Sequence, residues 1–457
     1  MNKGAHIIVG GGLAGLFSAK VLLDRGCSDI YIIEKSDDVG GLLQHITVKD
    51  PLNDGRNFVF DHGTHFVLEP NHPDIRRLMR EDLDPVDYHS FTESLQEAHV
   101  LNGKLYEQSG CASLSVFSED IQNNIKNELH ELRNGAADEG VVENFRDECL
   151  RRYGQTATDL IYAPAYKKFA GLDLEDLDVF MANFFAPGRL IAFDRQESID
   201  LKEKDADWDW RIAYADCEDS TSDITKYYPK VGGIGRWLQA VSDDLKARGV
   251  RILTNTTITD MQSNGSEIEG VTLSSGETLS CAQLVWSLPS IFLAMQTNTP
   301  VPSQKPIMRQ VSLVHLLVDE KPIERPHWVT VYDEKLLSYR ITLYDNFAPS
   351  DEGAYRITVE ILHGAEFQED QDALEDQIFE ELKDLGILSK TSCKLWSGSS
   401  KKPDGFPILS SSHKQTYIEQ TQILEQKYEN IAIVGRRPDT GGGQLAVMTY
   451  IWDNLKG

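Results

Sequence analysis

"HIIVGGGLAGLFSAKVLLDRGCSDIYIIEK" (residues 6–35) reads strand, glycine turn, helix, strand. The apolar run "HIIV" ends at Gly10, and Gly10, Gly12 and Gly15 stand in GxGxxG register. Leu13, Leu16, Phe17, Val21 and Leu22 give the next segment the apolar side of a helix. A second strand, "IYII", ends at Glu34, nineteen residues after Gly15. Each part has a physical task in holding a dinucleotide. Gly10 permits the tight turn and Gly12 lets the backbone approach a pyrophosphate. Gly15 lets helix and strand pack closely, and the helix N-terminus faces the phosphates. Glu34 accepts hydrogen bonds from ribose hydroxyls. The unit predicts a Rossmann-like α/β domain, and leaves open whether the dinucleotide is NAD or FAD.

Working outward, 457 residues exceed one ordinary core and predict two to three interleaved domains. A net charge of −27 argues against a nucleic-acid or anionic-membrane surface, both of which need clustered Lys and Arg. No apolar run approaches the roughly 20 residues of a membrane helix, and no signal peptide is legible. The six cysteines are scattered without a CxxC pair, so they read as reduced thiols of a cytoplasmic protein. No metal-ligand spacing is present. The oligomeric state has no signature.

The residues after Glu34, "EKSDDVGGLL", place Gly40 and Gly41 behind a five-residue spacer. Here the chain resembles the flavin amine oxidase and protoporphyrinogen oxidase superfamily, with UDP-galactopyranose-mutase-like relatives. The resemblance implies noncovalent FAD. It implies that Leu13, Ala14 and Lys35 flank the cofactor with the motif residues, and that Gly40 and Gly41 lie over the pyrophosphate. Leu42 stands where the family often has Arg. "FDHGTHFV" (60–67) looks like the segment that passes the isoalloxazine ring, which brings in Gly63, Thr64 and His65. His65 is a candidate hydrogen-bond donor to the flavin or acid/base near neutral pH. "YYPKVGGIGRWLQAVSDDLKARGVRILTNTTITDM" (227–261) is similar to the family's central unit, in which the residue at Ile258 pairs its backbone with adenine. A β-meander with turns at Asn264-Gly265 and Gly276 follows. "NIAIVGRRPDTGGGQL" (430–445) resembles the terminal strand–turn–helix whose start faces the flavin. It adds Gly435, Arg436, Gly442, Gly443 and Gln444 as candidate contacts. Backbone N–H groups and a positive helix end there would stabilise the negative charge of reduced flavin. Arg437 replaces a frequent aromatic.

The resemblance divides the chain into a discontinuous FAD-binding domain (1–70, 228–290, 400–457) and a mixed β-sheet and helical substrate domain (71–227, 291–399). Residues 115–190 read as largely helical, "QEAHVLNGKLYE" as a hairpin at Asn102-Gly103, and 201–223 as an acidic, aperiodic loop. Arg340 and Asn346 match an Arg and an Asn of the related strand pair. Tyr166, Lys167, Lys168, Arg189 and Arg340 are candidate contacts to an anionic small-molecule substrate such as a nucleotide sugar or carboxylate. The single-residue alternative is surface cations on an acidic protein. The strand "MRQVSLVHLLVDEKP" lacks the lysine that amine oxidases hold near flavin N5, which lowers the weight of ordinary amine oxidation. The reading is therefore a soluble FAD-dependent oxidoreductase that oxidises or desaturates a small polar substrate by hydride transfer to flavin N5. A mutase-like flavoenzyme acting without net redox is the alternative, and a non-catalytic FAD-containing subunit the second.

Overall fold

The computed structural model describes residues 4–83, 86–91, 95–135, 141–183, 188–214, 224–302, 307–349, 353–367, 370–408, 410–435, 437 and 443–456. Ala5–Val9 and Ile30–Ile33 are parallel neighbours in one sheet, flanked by Arg251–Leu253 on one side and Thr278–Trp286 on the other. Ile30–Ile33 is buried along its whole length, as a strand covered on both faces must be. Thr278–Trp286 starts in an antiparallel meander with Ile268–Leu273 and Ile258–Ser263. Its second half joins the parallel sheet, where Ile431–Ile433 lies beside it. Gly265 and Gly276 hold positive φ in the two meander turns, as their positions demand. Helix Leu13–Asp24 packs against the terminal helix Gln444–Asn454.

A second sheet has seven strands in the order Lys394–Ile408, Ile307–Val318, Tyr355–His363, Arg340–Leu343, Trp328–Val331, Glu97–Leu101, Lys104–Tyr106. The expected boundary at residue 400 falls inside its outermost strand. The hairpin at Asn102-Gly103 is present, with both residues at positive φ. Alternation decides the character of the two faces. Val314, Leu316, Val329, Ile341, Ile357 and Val359 all point to one side, where Ile378 and Leu382 of helix Gln371–Asp384 cover them. Register places Glu97, His99, Trp328, Thr330, Arg340, Thr342, Thr358 and Glu360 on the other side. A sheet buried on both sides with one polar face is unusual packing, and that face meets the first domain.

The helices Glu119–Asn134, Phe145–Ala157 and Ala163–Ala170 bear out the helical reading of 115–190. Phe145–Ala157 is kinked at Gly154 (φ 83°), and Arg211 caps the carbonyls of Arg151 and Arg152 beside the kink. The aperiodic reading of 201–223 is corrected in its first half. Helix Arg195–Lys204 is capped by Asp194, and a 3-10 turn, Ala206–Trp210, is capped by Asp205. The acidic residues that disguised the pattern are caps and first-turn charges. Residues 215–223 lie outside the described set.

His99 is buried and His327 half-buried, and burial holds both rings uncharged near neutral pH. His99 takes a proton donor from the Ser113 N–H on Nε2 and gives its Nδ1–H to Ser109 O at 2.7 Å. Burial pushes its pKa down to about 4, and burial does the same to His327. The unfolded chain titrates near 6.5, so it binds the extra proton first as pH falls. The stability from each neutral ring is full above about 6.5 and is lost towards pH 4, roughly 2–4 kcal/mol apiece. Urea midpoints measured from pH 7 to pH 4 should fall, and His99→Gln should flatten that slope. An unaltered slope in the variant would show that His99 charges in the folded protein.

Candidate functional site

The carboxyl ends of the parallel strands converge on Ser287. Its hydroxyl donates to Val9 O at 2.6 Å, and its backbone N–H donates to the same carbonyl. A Cβ on Gly10 would strike the Ser287 hydroxyl, and one on Gly435 would stand 2.5 Å from Ser287 O. One on Gly15 would collide with the Gly10 carbonyl. Gly12 differs, because its nearest neighbour is the Gly41 Cα, at 3.9 Å from an added Cβ. Gly12 caps the first helix with no side chain on its exposed N–H groups. Gly40 reaches φ 118° while its N–H donates to Gly11 O at 2.8 Å, which lays the Gly-Gly pair against the first turn. Leu13 and Ala14 are half-buried beside this opening, and the side chains of Lys35 and Leu42 face solvent.

Glu34 turns inward. Oε2 accepts the Gly11 N–H at 2.6 Å and Oε1 the Ser36 N–H at 2.8 Å. The carboxylate thus fixes the glycine turn, and each oxygen keeps a second lone pair for a ribose hydroxyl. Ile258 opens a meander strand opposite Leu273.

The second helix start is open in the same manner. Gly443 caps Gln444–Asn454 without a side-chain bond, and a Cβ built there meets no atom within 4 Å. Gln444 is pinned: Nε2 donates to Phe66 O at 2.8 Å, and Oε1 receives the Leu68 N–H at 3.4 Å. The terminal helix therefore begins beside the segment that contains Gly63, Thr64 and His65. His65 is half-buried there. Arg437 turns back to Glu425 at 2.6 Å, away from the helix start. Arg436 and Gly442 lie outside the described residues.

From the other side the same segment is held by the polar sheet face. The Thr64 N–H donates to Glu360 Oε1 at 3.1 Å, and its hydroxyl meets that of Thr342 at 2.7 Å. Glu360 also receives Arg340 Nε at 2.6 Å and Nη2 at 2.9 Å, a bidentate pair. Gly63, at φ 113°, has the Glu360 carboxyl 2.7 Å from where its Cβ would be. No other residue fits there. Burial opposes the Arg340 charge, but the Glu360 carboxylate outweighs it and pushes the pKa up. In the next row, the Thr330 hydroxyl donates to Glu97 at 2.6 Å. Burial pushes the Glu97 carboxyl up, against those hydrogen bonds and the charge of Arg340.

The candidate anion-binding set is dispersed. Lys168 Nζ is buried and gives its protons to the carbonyls of Asp333, Leu336 and Ser338 at 2.6–2.9 Å. Tyr166 donates to Met181 O, Lys167 pairs with Asp173, and Arg189 donates to Asp209 O. Asn346 holds the carbonyls of Ile323 and Pro326. Of the five only Arg340 lies on the polar face, and it is bound to Glu360. Ser287, Thr342, Trp328, Glu97 and Glu360 escaped sequence reading, because no motif links them. Only the alternation of "YRITVEILH" hinted that Glu360 shares a face with Thr358. Among the described residues no cluster of His, Cys, Asp or Glu could hold a metal ion, and no helix is long and apolar enough to cross a membrane.

Removing Glu360 leaves a mostly buried guanidinium and a buried N–H unpaired. Glu360→Ala should cost about 3 kcal/mol, the low end for breaking a buried pair, since Arg340 keeps some solvent contact. Urea unfolding of Glu360→Ala, Arg340→Met and the double variant checks this. The double variant should recover part of the loss. Strict additivity would mean that the pair is uncoupled.

Residues 13–396 match the profile of a family described as flavin containing amine oxidoreductase. Solved structures share the architecture at low identity. A reduced UDP-galactopyranose mutase matches with a TM-score of 0.76 and 16% identity, over 99% of this chain and 93% of its own. An oxidoreductase from Methanosarcina mazei gives 0.62 and 14%, over 98% and 99%. A triple mutant of putrescine oxidase redesigned in cofactor binding gives 0.62 and 13%, over 98% and 97%. The mixed α/β fold with its glycine-lined helix starts and the profile match along most of the sequence agree, and this chain belongs to the flavin containing amine oxidoreductase family.

Proposed function

We propose that the chain is an FAD-dependent oxidoreductase that oxidises or desaturates a small polar substrate at a carbon next to nitrogen or oxygen, or across a C–C bond. The observation that carries this reading is the pair of uncapped helix starts, at Gly12 and Gly443, with space above each glycine. The first serves the pyrophosphate and the second the pyrimidine edge of the ring. Bound FAD would supply the hydride acceptor. The chain's own residues do the rest. Glu34 holds the glycine turn and accepts from the ribose, and Gly40 and Gly41 close over the phosphates. Ile258 offers its backbone to adenine. Thr64 and His65, fixed between Gln444 and Glu360, position the segment against the ring. The polar sheet face walls the substrate side, where exclusion of water strengthens each hydrogen bond. His65 is the candidate donor to the ring, and Arg340 supports it through Glu360.

Purified protein should carry FAD that denaturation releases, with His65 acting as a hydrogen-bond donor to the ring and not as a covalent link. Anaerobic mixing with candidate alcohols, amines and saturated acids should bleach the oxidised flavin with one class. Activity only after prior reduction, with no bleaching by any substrate, would favour the mutase-like alternative. Protein that neither contains nor takes up FAD would sink both.

Glu34→Ala should weaken FAD retention about tenfold to hundredfold, the loss of hydrogen bonds to a charged acceptor. Unchanged affinity in a folded variant would remove Glu34 from the ribose site.

Gly443→Val is the sharper test. No described atom lies within 4 Å of the new Cβ, so the apo fold should keep its urea midpoint. FAD affinity should drop, or the flavin potential should fall by up to about 40 mV, as the helix end loses its approach to the reduced anion. Wild-type values for both would make the terminal loop a plain connector.

A further inference from the structure

Half-buried and buried cations of this protein are almost all paired. Lys20 meets Asp244, Arg340 meets Glu360, Arg80 meets Glu69, and Lys168 meets three carbonyls. Lys226 is not paired among the described residues. It begins the strand Lys226–Pro229, which runs between Val67–Leu68 and Tyr88–Phe91. It is half-buried, and among the described residues it forms no ion pair or side-chain hydrogen bond. Burial pushes its pKa down, and no acid among the described residues offsets it. The nearby acid of its own sheet, Glu69, is engaged by Arg80 at 2.5 Å and by the Tyr227 hydroxyl, on the opposite face of the strand.

Register fixes where Lys226 stands. It is directly opposite Leu68 and Phe91, so the three side chains share a face. The Leu68 N–H is the one that Gln444 of the terminal helix receives. The Phe91 ring lies 5.2 Å from that of His327 and 6.2 Å from that of Phe347. Tyr228, next on the same face, packs on Phe347 at 5.1 Å. Phe347 stacks on Trp328, and Trp328 on Phe66. The ammonium thus lies at the edge of an aromatic wall that runs to the segment beside His65. The wall itself is uncharged near neutral pH, since burial holds His327 neutral.

We propose that Lys226 is the anchor for an oxyanion carried by the substrate, a carboxylate or a phosphate, while the half-buried members of the aromatic wall, Phe91, His327, Trp328 and Phe66, take its apolar part. This rests on the flavin reading of the site. A chain of net charge −27 repels anions at long range, so an anionic substrate needs a local cation with no internal partner. An ammonium in a half-desolvated place is strongest towards such a ligand, and no acid among the described residues takes up its three donors. The anchor replaces the dispersed set around Lys168, whose donors are committed.

The test uses the FAD-loaded full chain and reads the flavin absorbance during titration with benzoate, phenyl phosphate, benzyl alcohol and benzylamine. Benzoate or phenyl phosphate should perturb the spectrum with saturation, and the better of the two names the oxyanion. Lys226→Met should weaken that probe about tenfold to hundredfold, the range for a charge-assisted contact. Lys226→Arg should hold most of the affinity, and benzyl alcohol should bind all three proteins alike. FAD retention and the urea midpoint, read on the same samples, separate a lost contact from a lost fold. Equal probe affinities in wild type and Lys226→Met, or tighter binding of benzylamine than of either anion, overturn the inference and leave the flavin reading standing. Wild-type protein without FAD overturns both.

Discussion

The Glu360 carboxylate fastens the segment at residues 63–65 to the polar face of the second sheet. One oxygen receives both Arg340 Nε and the Thr64 N–H, and the other receives Arg340 Nη2. A carboxylate in so dry a place is tolerable only with its lone pairs filled and its charge balanced. Once it is placed, Gly63 has room for nothing larger than hydrogen, and the backbone at 63–65 takes one course. Gln444 then fixes the next residues from the opposite side. The start of the terminal helix and the polar sheet face come to bear on one segment of four or five residues.

The glycines divide into two kinds by what surrounds them. Gly10, Gly15 and Gly435 are glycine because protein atoms already occupy the space of a side chain, so they serve packing around Ser287. Gly12 and Gly443 are glycine with little protein near the missing Cβ. Such positions make sense where something outside the chain approaches the backbone. The two helices that begin there also pack on each other, which aligns their positive ends.

A fold shared with a mutase and an oxidase does not by itself set the chemistry. What sets it is the wall opposite the ring. The second sheet has an apolar face under helix Gln371–Asp384 and a polar face of Glu97, Thr330, Arg340, Thr342 and Glu360, which meets the 63–65 segment. Each polar group on it that faces another has a partner. Lys226 stands apart on a separate small sheet, with no acid paired to it among the described residues.

Residues 6–35 by themselves determined a good part of this protein. The run "HIIV", the glycine register and "IYII" are local signals, since each depends on neighbours within one strand or one helical turn. The turns at Asn102-Gly103 and Asn264-Gly265 were legible for the same reason, because positive φ restricts the residue type. Local signals failed at 201–210, where caps and first-turn acids looked like a solvated loop. They failed again for Lys168 and Arg189, because a cation's role depends on what lies across from it. Glu360 and Thr64 are 296 residues apart, and Gln444 and Phe66 are 378 apart. Only the tertiary structure decided those contacts, because the energy of a buried charge or N–H is set by partners that chain folding brings from a distance, and no spacing in the sequence records them.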